Sequence, residues 1–335
     1  MEKLKCAVIG LGWFGEIHLD TLNEFPIVDI KAICDTREDH LKEIGRKYAI
    51  ENCYTNYHDL LNDKNIEIVV ITTHVDTHAQ IAADALNSGK HVFLEKPMAN
   101  NLEECNKIIE ACKKTDKFFM VGHICRFGVE YAIAKEEIEN GKIGEIISLH
   151  AKRNLAKQIT ETHLNKLSSL FGDGVHDLDL AFWYTKSRPV SVYALTRKTR
   201  DTIIFDDVGW AMFKFENKAI VVIENVWCLP DNVPYLLGAE MEIIGTKGII
   251  KIDATGSSFQ VVSEDGIKYP PTVATPKVHG LRRGLLKEEL DYFLKCILKT
   301  KRPEVITPEE SRDVVYAIRM AEKSALENKI IYFKY

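Results

Sequence analysis

The chain lacks any apolar stretch long enough to be a signal core or a membrane span, so a spanning helix is excluded and the cytoplasm is the expected location. It also lacks an excess of basic charge. Lys plus Arg total 44 against 49 Asp plus Glu, a net of -5, so no basic field draws in nucleic acid. Eight cysteines are present but none stands in a C-x-x-C pair. Scattered in this way, they argue for reduced, packed thiols rather than a zinc site or a disulfide framework. No internal repeat or low-complexity tract appears. The composition is that of an ordinary globular protein, 46% hydrophobic and 28% charged. At 335 residues the chain is long for one core and suits two domains.

The first 122 residues alternate strand and helix. Cys6 to Ile9 is a continuous apolar run ending in glycines. Trp13 to Leu22 has helical apolar spacing, and Val28 to Cys34 is a strand ending in Asp35. Ile66 to Ile71 is uninterruptedly apolar, as expected for a strand covered on both faces. Helices over 77–88 and 102–114, with strands over 91–94 and 118–121, complete the pattern. It predicts a doubly wound parallel sheet over residues 1–122.

From residue 123 the period changes. A helix over 131–140 ends at Gly141. Long strand-like segments follow at 143–152, 190–196, 209–215, 219–227, 240–245, 248–253 and 258–262, joined by short turns of the kind found in antiparallel meanders. A helix over 175–184 interrupts them, and helices over 285–300 and 308–328 close the chain. Residues 123–335 therefore read as an α+β domain on one large open, mostly antiparallel sheet, with the closing helices free to pack back on the first domain. A single helix layer covers only one face of such a sheet. The other face is expected to bury against a second subunit, giving a homodimer or homotetramer.

Gly10-Leu-Gly12-Trp13-Phe14-Gly15 follows a strand and opens a helix. The glycines permit a tight turn, close backbone approach and close helix–strand packing, and the helix N-terminus turns free N–H groups toward a pyrophosphate. Asp35 lies at the end of the next strand, where a carboxylate binds the adenosine ribose. Such a carboxylate repels a 2′-phosphate, so NAD is the cofactor expected. NADP is the alternative that Arg37 keeps open, because that guanidinium could turn to a phosphate.

Ligands of open α/β sheets bind beyond the carboxyl ends of the strands. Thr72 and Thr73, Glu95-Lys96-Pro97, and Gly122-His123 fall there. A lysine at a strand end before a proline is backbone-restricted; a solvated strand-end charge is the plain alternative. A second cluster, Gly172-Asp173-Gly174-Val175-His176-Asp177-Leu178-Asp179, opens the helix over 175–184. A neutral imidazole at His176 is a base for alcohol oxidation, and a packed histidine is the plain alternative. No group of residues has metal-ligand spacing.

Taken in order, G-x-G-x-x-G, the acidic strand end, Thr73-x-x-x-x-His78, Glu-Lys-Pro, Val121-Gly-His-x-x-Arg-Phe127, Gly141-Lys-Ile-Gly-Glu145 and Gly174-x-His-Asp-x-Asp179 resemble the Gfo/Idh/MocA oxidoreductases over nearly the whole chain. The resemblance implies that Lys96 hydrogen-bonds the reacting hydroxyl, that His176 is the acid/base, and that the Lys96–Pro97 bond is cis. It adds His78, Glu95 and His123 to the cofactor side. Two departures stand out. Gly172 occupies the place of an aspartate four residues before the histidine, with Asp173 one step later. His74 replaces a proline after Thr73, and either projects toward the nicotinamide or ribose or is a loop residue.

The expected activity is hydride transfer from a secondary alcohol of a sugar ring to NAD. Arg126, Arg153, Asn154 and His163, with Lys96, Asp173 and His176, are candidates to bind the substrate. Several cations suit a nucleotide-sugar pyrophosphate, and Val-Gly-His-Ile-x-Arg-Phe looks like the sugar-nucleotide 3-dehydrogenase branch, which favours the C3 hydroxyl of a nucleotide sugar. An inositol or free-sugar dehydrogenase and a ketosugar reductase are the alternatives. A non-catalytic nucleotide-binding regulator is the rival of another class; it would be expected to have lost Lys96 or His176. The dehydrogenase reading requires those two side chains to act at one point over the nicotinamide.

Overall fold

The computed structural model describes residues 2–160, 164–255, 259–264 and 266–335. The chain divides into two compact units, one of residues 1–124 with 275–312 and the other of residues 125–274 with 313–335. A single cut near residue 122 does not describe this division, because 275–312 groups with the N-terminal segment. Charge and packing supply the reason. Asp20 pairs with Lys277 and Arg282 at 2.8 Å each, Glu24 with Lys287 at 2.7 Å, and the Phe293 ring meets Phe93 edge-on at 5.7 Å.

In the first unit the elements run β1 (Leu4–Ile9), α1 (Trp13–Leu22), β2 (Val28–Cys34), α2 (Glu38–Tyr48), β3 (Asn52–Tyr54), α3 (Tyr57–Asn62), β4 (Ile68–Ile71), α4 (Val75–Asn87), β5 (His91–Glu95), α5 (Leu102–Lys113) and β6 (Phe119–Gly122). All six strands are parallel, in the order β3-β2-β1-β4-β5-β6. Every residue of β4 is buried, as its unbroken apolar run requires. The order reverses between β1 and β4. The loops after those two strands therefore open the crevice that a doubly wound sheet offers a ligand. The short elements β3 and α3 had no clear period in the sequence.

The second unit contains α6 (Val129–Glu139), β7 (Ile146–Ala156), α7 (Lys157–Thr160), a π-helical turn at Leu170–Gly174, α8 (Val175–Thr185), β8 (Pro189–Arg197), β9 (Val208–Phe215), β10 (Ile220–Leu229), β11 (Leu237–Gly245) and β12 (Ile249–Asp253). The sheet order is β12-β11-β7-β10-β9-β8, extended at β8 by Ile331–Tyr332. This is not a simple meander. β7 enters between β10 and β11, antiparallel to β11 but parallel to β10. Alternation tells which face a residue takes, not which strand lies beside it.

One face of this sheet buries Leu149, Ala151, Ala211, Phe213, Val221, Ile223, Met241 and Ile243. Helix α8 packs on that side against β7 and β10. The other face exposes Leu195, Trp210 and Met212 beside the ion pairs Lys152–Glu240 and Lys251–Glu242, both at 2.9 Å. All eight cysteines are free thiols. Among the described residues no helix is long and apolar enough to cross a membrane.

Candidate functional site

In the first unit the glycine loop has the shape that a dinucleotide needs. Gly10 sits at φ +93°, and a Cβ there would lie 2.8 Å from the Thr73 nitrogen. A Cβ on Gly15 would fall 2.1 Å from the Gly10 oxygen, so α1 can meet β1 this closely only with glycine. A Cβ on Gly12 would meet nothing within 4 Å, which leaves open space beside an extended backbone. No side chain caps α1, so the first-turn N–H groups are available to an anion. Trp13 is largely exposed at this helix start and leans on Phe14, with ring centroids 5.7 Å apart. These residues fit the pyrophosphate of NAD.

Asp35 lies where the ribose would bind, but its carboxylate already has four donors. Its Oδ2 accepts from the Leu11 N–H at 2.8 Å and an Arg37 terminal nitrogen at 3.0 Å. Its Oδ1 accepts from the Arg37 main-chain N–H and Nε, both at 2.9 Å. Burial works to raise its pKa; the Arg37 and Leu11 donors outweigh that and hold it below the usual carboxylate range. Four donors fill the lone pairs of a carboxylate. A ribose hydroxyl must therefore displace one of them, and the Arg37 side chain is the movable one. Held on Asp35, that guanidinium is not free for a 2′-phosphate.

Several residues expected on the cofactor side brace the loops there. Thr72 Oγ1 donates to the Gly10 oxygen at 2.6 Å and locks the glycine turn. The buried His78 places its ring nitrogens 2.8 Å from the Pro97 oxygen and 3.0 Å from the Thr73 oxygen, tying the loop after β4 to the loop after β5. Burial lowers its pKa. Glu95 is turned inward, with Oε1 2.7 Å from His18 Nε2 and Oε2 accepting the Lys96 N–H at 3.1 Å. It holds the backbone that carries Lys96, and the fully buried His18 is a residue that sequence reading passed over. His74 stands at the N-cap position of α4 without a side-chain capping bond, its Nδ1 2.9 Å from Asp76 Oδ2, and Thr73 accepts from the Thr77 hydroxyl at 2.8 Å. His123 is buried after β6. Lys96 is partly exposed after β5, and the Lys96–Pro97 bond is cis.

In the second unit His176 is the second residue of α8 and is nearly buried. Its Nδ1 lies 3.7 Å from Cys125 Sγ, and its Nε2 lies 3.9 Å from Asp173 Oδ1. Asp173 is thus brought to the imidazole although Gly172 holds the place expected for the carboxylate. The other oxygen of Asp173 accepts the Trp227 indole N–H at 3.0 Å. Neither Trp227 nor Cys125 was singled out from the sequence. Cys125 stands at an unspecified place in Val121-Gly-His-x-x-Arg-Phe127 and Trp227 in no motif, so neither carried a signal of its own.

Two cations assigned to the substrate are used elsewhere. Arg126 forms a two-point ion pair with Asp179, at 2.9 and 2.7 Å, with both side chains fully buried. Arg153 pairs with Asp177 at 2.8 Å, also buried, and reaches Cys125 Sγ at 3.7 Å. Burial pushes the Asp177 carboxyl up while Arg153 beside it pulls the other way. Asn154, next to Arg153 on β7, points to the opposite face of the sheet. It donates to Glu224 at 2.9 Å and accepts the Val226 N–H at 2.9 Å. Arg153 and Asn154 therefore cannot line one pocket. His163 lies outside the described residues.

Residues 4–123 match the family described as "Oxidoreductase family, NAD-binding Rossmann fold", and residues 131–251 match the "GFO/IDH/MocA C-terminal domain". The chain is 27% identical over 335 residues to myo-inositol 2-dehydrogenase of Thermotoga maritima, covering 97% of each chain. It is 30% identical over 260 residues to inositol 2-dehydrogenase of Salmonella paratyphi B, covering 76% of this chain and 75% of that one. Its fold is similar to that of scyllo-inositol dehydrogenase from Lactobacillus casei, solved with bound NAD(H) and scyllo-inositol. The TM-score is 0.86 at 22% identity, over 99% of both chains.

Proposed function

From the premise that this chain belongs to the Gfo/Idh/MocA family and is an NAD-dependent dehydrogenase of CH–OH groups, we propose that it oxidises a ring hydroxyl of a free cyclic polyol of the inositol type. The observation that carries this reading is the fate of Arg126 and Arg153. Both are buried in ion pairs, so neither is left to neutralise a nucleotide-sugar pyrophosphate. A free polyol needs hydrogen bonds and no such charge. Relatives named as inositol dehydrogenases support the same choice.

Bound at the glycine loop, NAD supplies the hydride acceptor. His176 takes the hydroxyl proton at Nε2. A proton on Nδ1 directed at Cys125 leaves Nε2 with the lone pair, and Asp173 is close enough to steady the imidazolium that forms. Lys96, just after β5, is assigned the hydrogen bond that stabilises the developing alkoxide. Reduction of the corresponding ketone follows the same steps reversed.

The test is turnover with NAD against a panel of inositols, free sugars and UDP-sugars, followed by the absorbance of reduced cofactor. Inositol oxidation with inert UDP-sugars is the expected result. A UDP-sugar as the preferred substrate would return the nucleotide-sugar C3 reading. NAD binding without turnover of any substrate would favour a regulator.

We also propose that the exposed face of the sheet buries against a second copy of this chain. Its apolar centre of Leu195, Trp210 and Met212, with charges of both signs around it, is the self-complementary surface that a two-fold interface needs. Met212→Glu is expected to convert the assembly to monomers in light scattering; a monomeric wild type would end the idea.

A further inference from the structure

Gly172 and Trp227 are 55 positions apart and fit each other. A Cβ on Gly172 would lie 2.2 Å from the Trp227 Cη2 and 2.7 Å from its Cζ2. No other residue type allows the indole to sit there without a shift. The indole is fixed from every side. It is buried in an apolar cluster with Leu164 and Ile203, flanked by Leu155 and Leu167. Its main-chain N–H donates to the Asp207 oxygen at 2.7 Å, and its carbonyl accepts from Thr160 Oγ1 at 2.9 Å and from Arg200 at 3.3 Å. Arg200 is held in turn by Asp207, which is fully buried. A ring anchored in this way cannot turn its N–H elsewhere.

The partner is presented by an unusual turn. Leu170–Gly174 is π-helical and leads straight into α8. π-turns hold one extra residue and recur at functional sites. This one is pinned by the Ser169 N–H donating to the Asp206 oxygen at 3.0 Å, and by the Phe171 ring under the Arg319 guanidinium at 3.5 Å. It sets Asp173 beside β10, where one carboxylate oxygen meets the indole N–H and the other faces His176 Nε2 at 3.9 Å.

We propose that Trp227, seated over the side-chain-free Gly172, is a positioning residue that holds Asp173 on His176. It touches neither substrate nor cofactor. A neutral N–H donor on one oxygen fixes the rotation of the carboxylate without cancelling its charge, so the second oxygen stays aimed at the imidazole and keeps its pull on the positive charge formed there. This deepens the proposed mechanism and rests on its assignment of His176 as the base.

The test is a double-mutant cycle. Trp227→Phe deletes the donor and also the benzo ring atoms over Gly172; benzothienylalanine at position 227, which keeps those atoms and replaces only the N–H, separates the two losses. Trp227→Phe is expected to lower kcat about tenfold or more with KM for NAD unchanged. Asp173→Asn is expected to lower kcat at least as far, and the double variant no further than Asp173→Asn alone. A wild-type kcat in Trp227→Phe, or losses that multiply in the double variant, would overturn the proposal. Should Trp227→Phe fold poorly, benzothienylalanine at position 227 replaces the N–H by sulfur at the same ring shape and carries the same expectation. The ring-nitrogen chemical shifts of His176 separate this proposal from the mechanism that it rests on. They should move alike in Trp227→Phe and Asp173→Asn whether or not His176 is the base, and unmoved shifts in Trp227→Phe would sink the positioning role. His176→Asn, run alongside, tests the base assignment itself.

Discussion

The two candidate sites are built from different material. The dinucleotide loop of the first unit is mostly backbone: three glycines, uncapped helix N–H groups and side chains that clip one loop to another. The candidate acid/base site of the second unit is almost wholly side chain. His176 is set among Cys125, Asp173 and Trp227, with the ion pairs Arg126–Asp179 and Arg153–Asp177 buried around it. Backbone geometry depends on neighbours a few residues away, so a short motif records it. A side-chain constellation depends on which strands and helices lie together, and no short motif does.

Four measurements press on that contrast. The largest effect is expected where a buried charge loses its partner. Arg126→Met should destabilise the protein by about 3–5 kcal/mol in urea unfolding, because Asp179 is left charged and dry. A loss no larger than that of a surface ion pair would mean that the second unit does not depend on its charge network. Next come the groups proposed to act on the substrate. Lys96→Met and His176→Asn should each cut turnover roughly a hundredfold or more, about 2.7 kcal/mol, with NAD affinity nearly unchanged in calorimetry. Wild-type turnover in either variant would remove that residue from the mechanism.

The glycine loop gives a smaller and sharper effect. Gly12→Ala introduces a methyl group that meets no protein atom within 4 Å, so the melting temperature should hold while NAD binding weakens about tenfold. Gly15→Ala collides with the Gly10 oxygen and should lower both. Equal behaviour of the two variants would erase the distinction between a glycine kept for the ligand and one kept for packing.

The smallest effect is a pH slope. His91 Nδ1 accepts the Phe118 N–H at 3.0 Å, and burial, with Lys117 adding to it, lowers the His91 pKa from 6.5 to about 4. A native pKa below the unfolded one means that the unfolded chain takes up the proton first. The contribution is therefore complete above about pH 6.5 and is lost as pH falls toward 4. Urea midpoints at about pH 7 and about pH 5 should differ less in His91→Asn than in wild type. An unchanged difference would remove His91 as the source.

Much of the first unit was legible in the sequence, and for a physical reason. α1 and β2 occupy the spans that their apolar periods predict, and the glycine loop lies between β1 and α1 as its spacing requires. What the sequence did not show there is the partners: Glu95 and His78, expected on the cofactor side, make hydrogen bonds that hold loops. In the second unit the strands were readable by alternation, yet the parallel pairing of β7 with β10 was not. Arg126, Arg153 and Asn154 read as polar groups for a ligand because a sequence shows a polar side chain but not its partner.

The sequence by itself determined where the chain turns, which faces are apolar, where a pyrophosphate meets free N–H groups, and that a lysine and a histidine stand at a strand end and a helix start. These follow from local backbone preference and periodicity. Only the tertiary structure decided that Asp173 lies beside His176 in spite of Gly172, that an indole from β10 donates to it, and that two arginines pair with buried aspartates. Those outcomes depend on contacts between residues tens of positions apart, which exist only once the strands have chosen their neighbours.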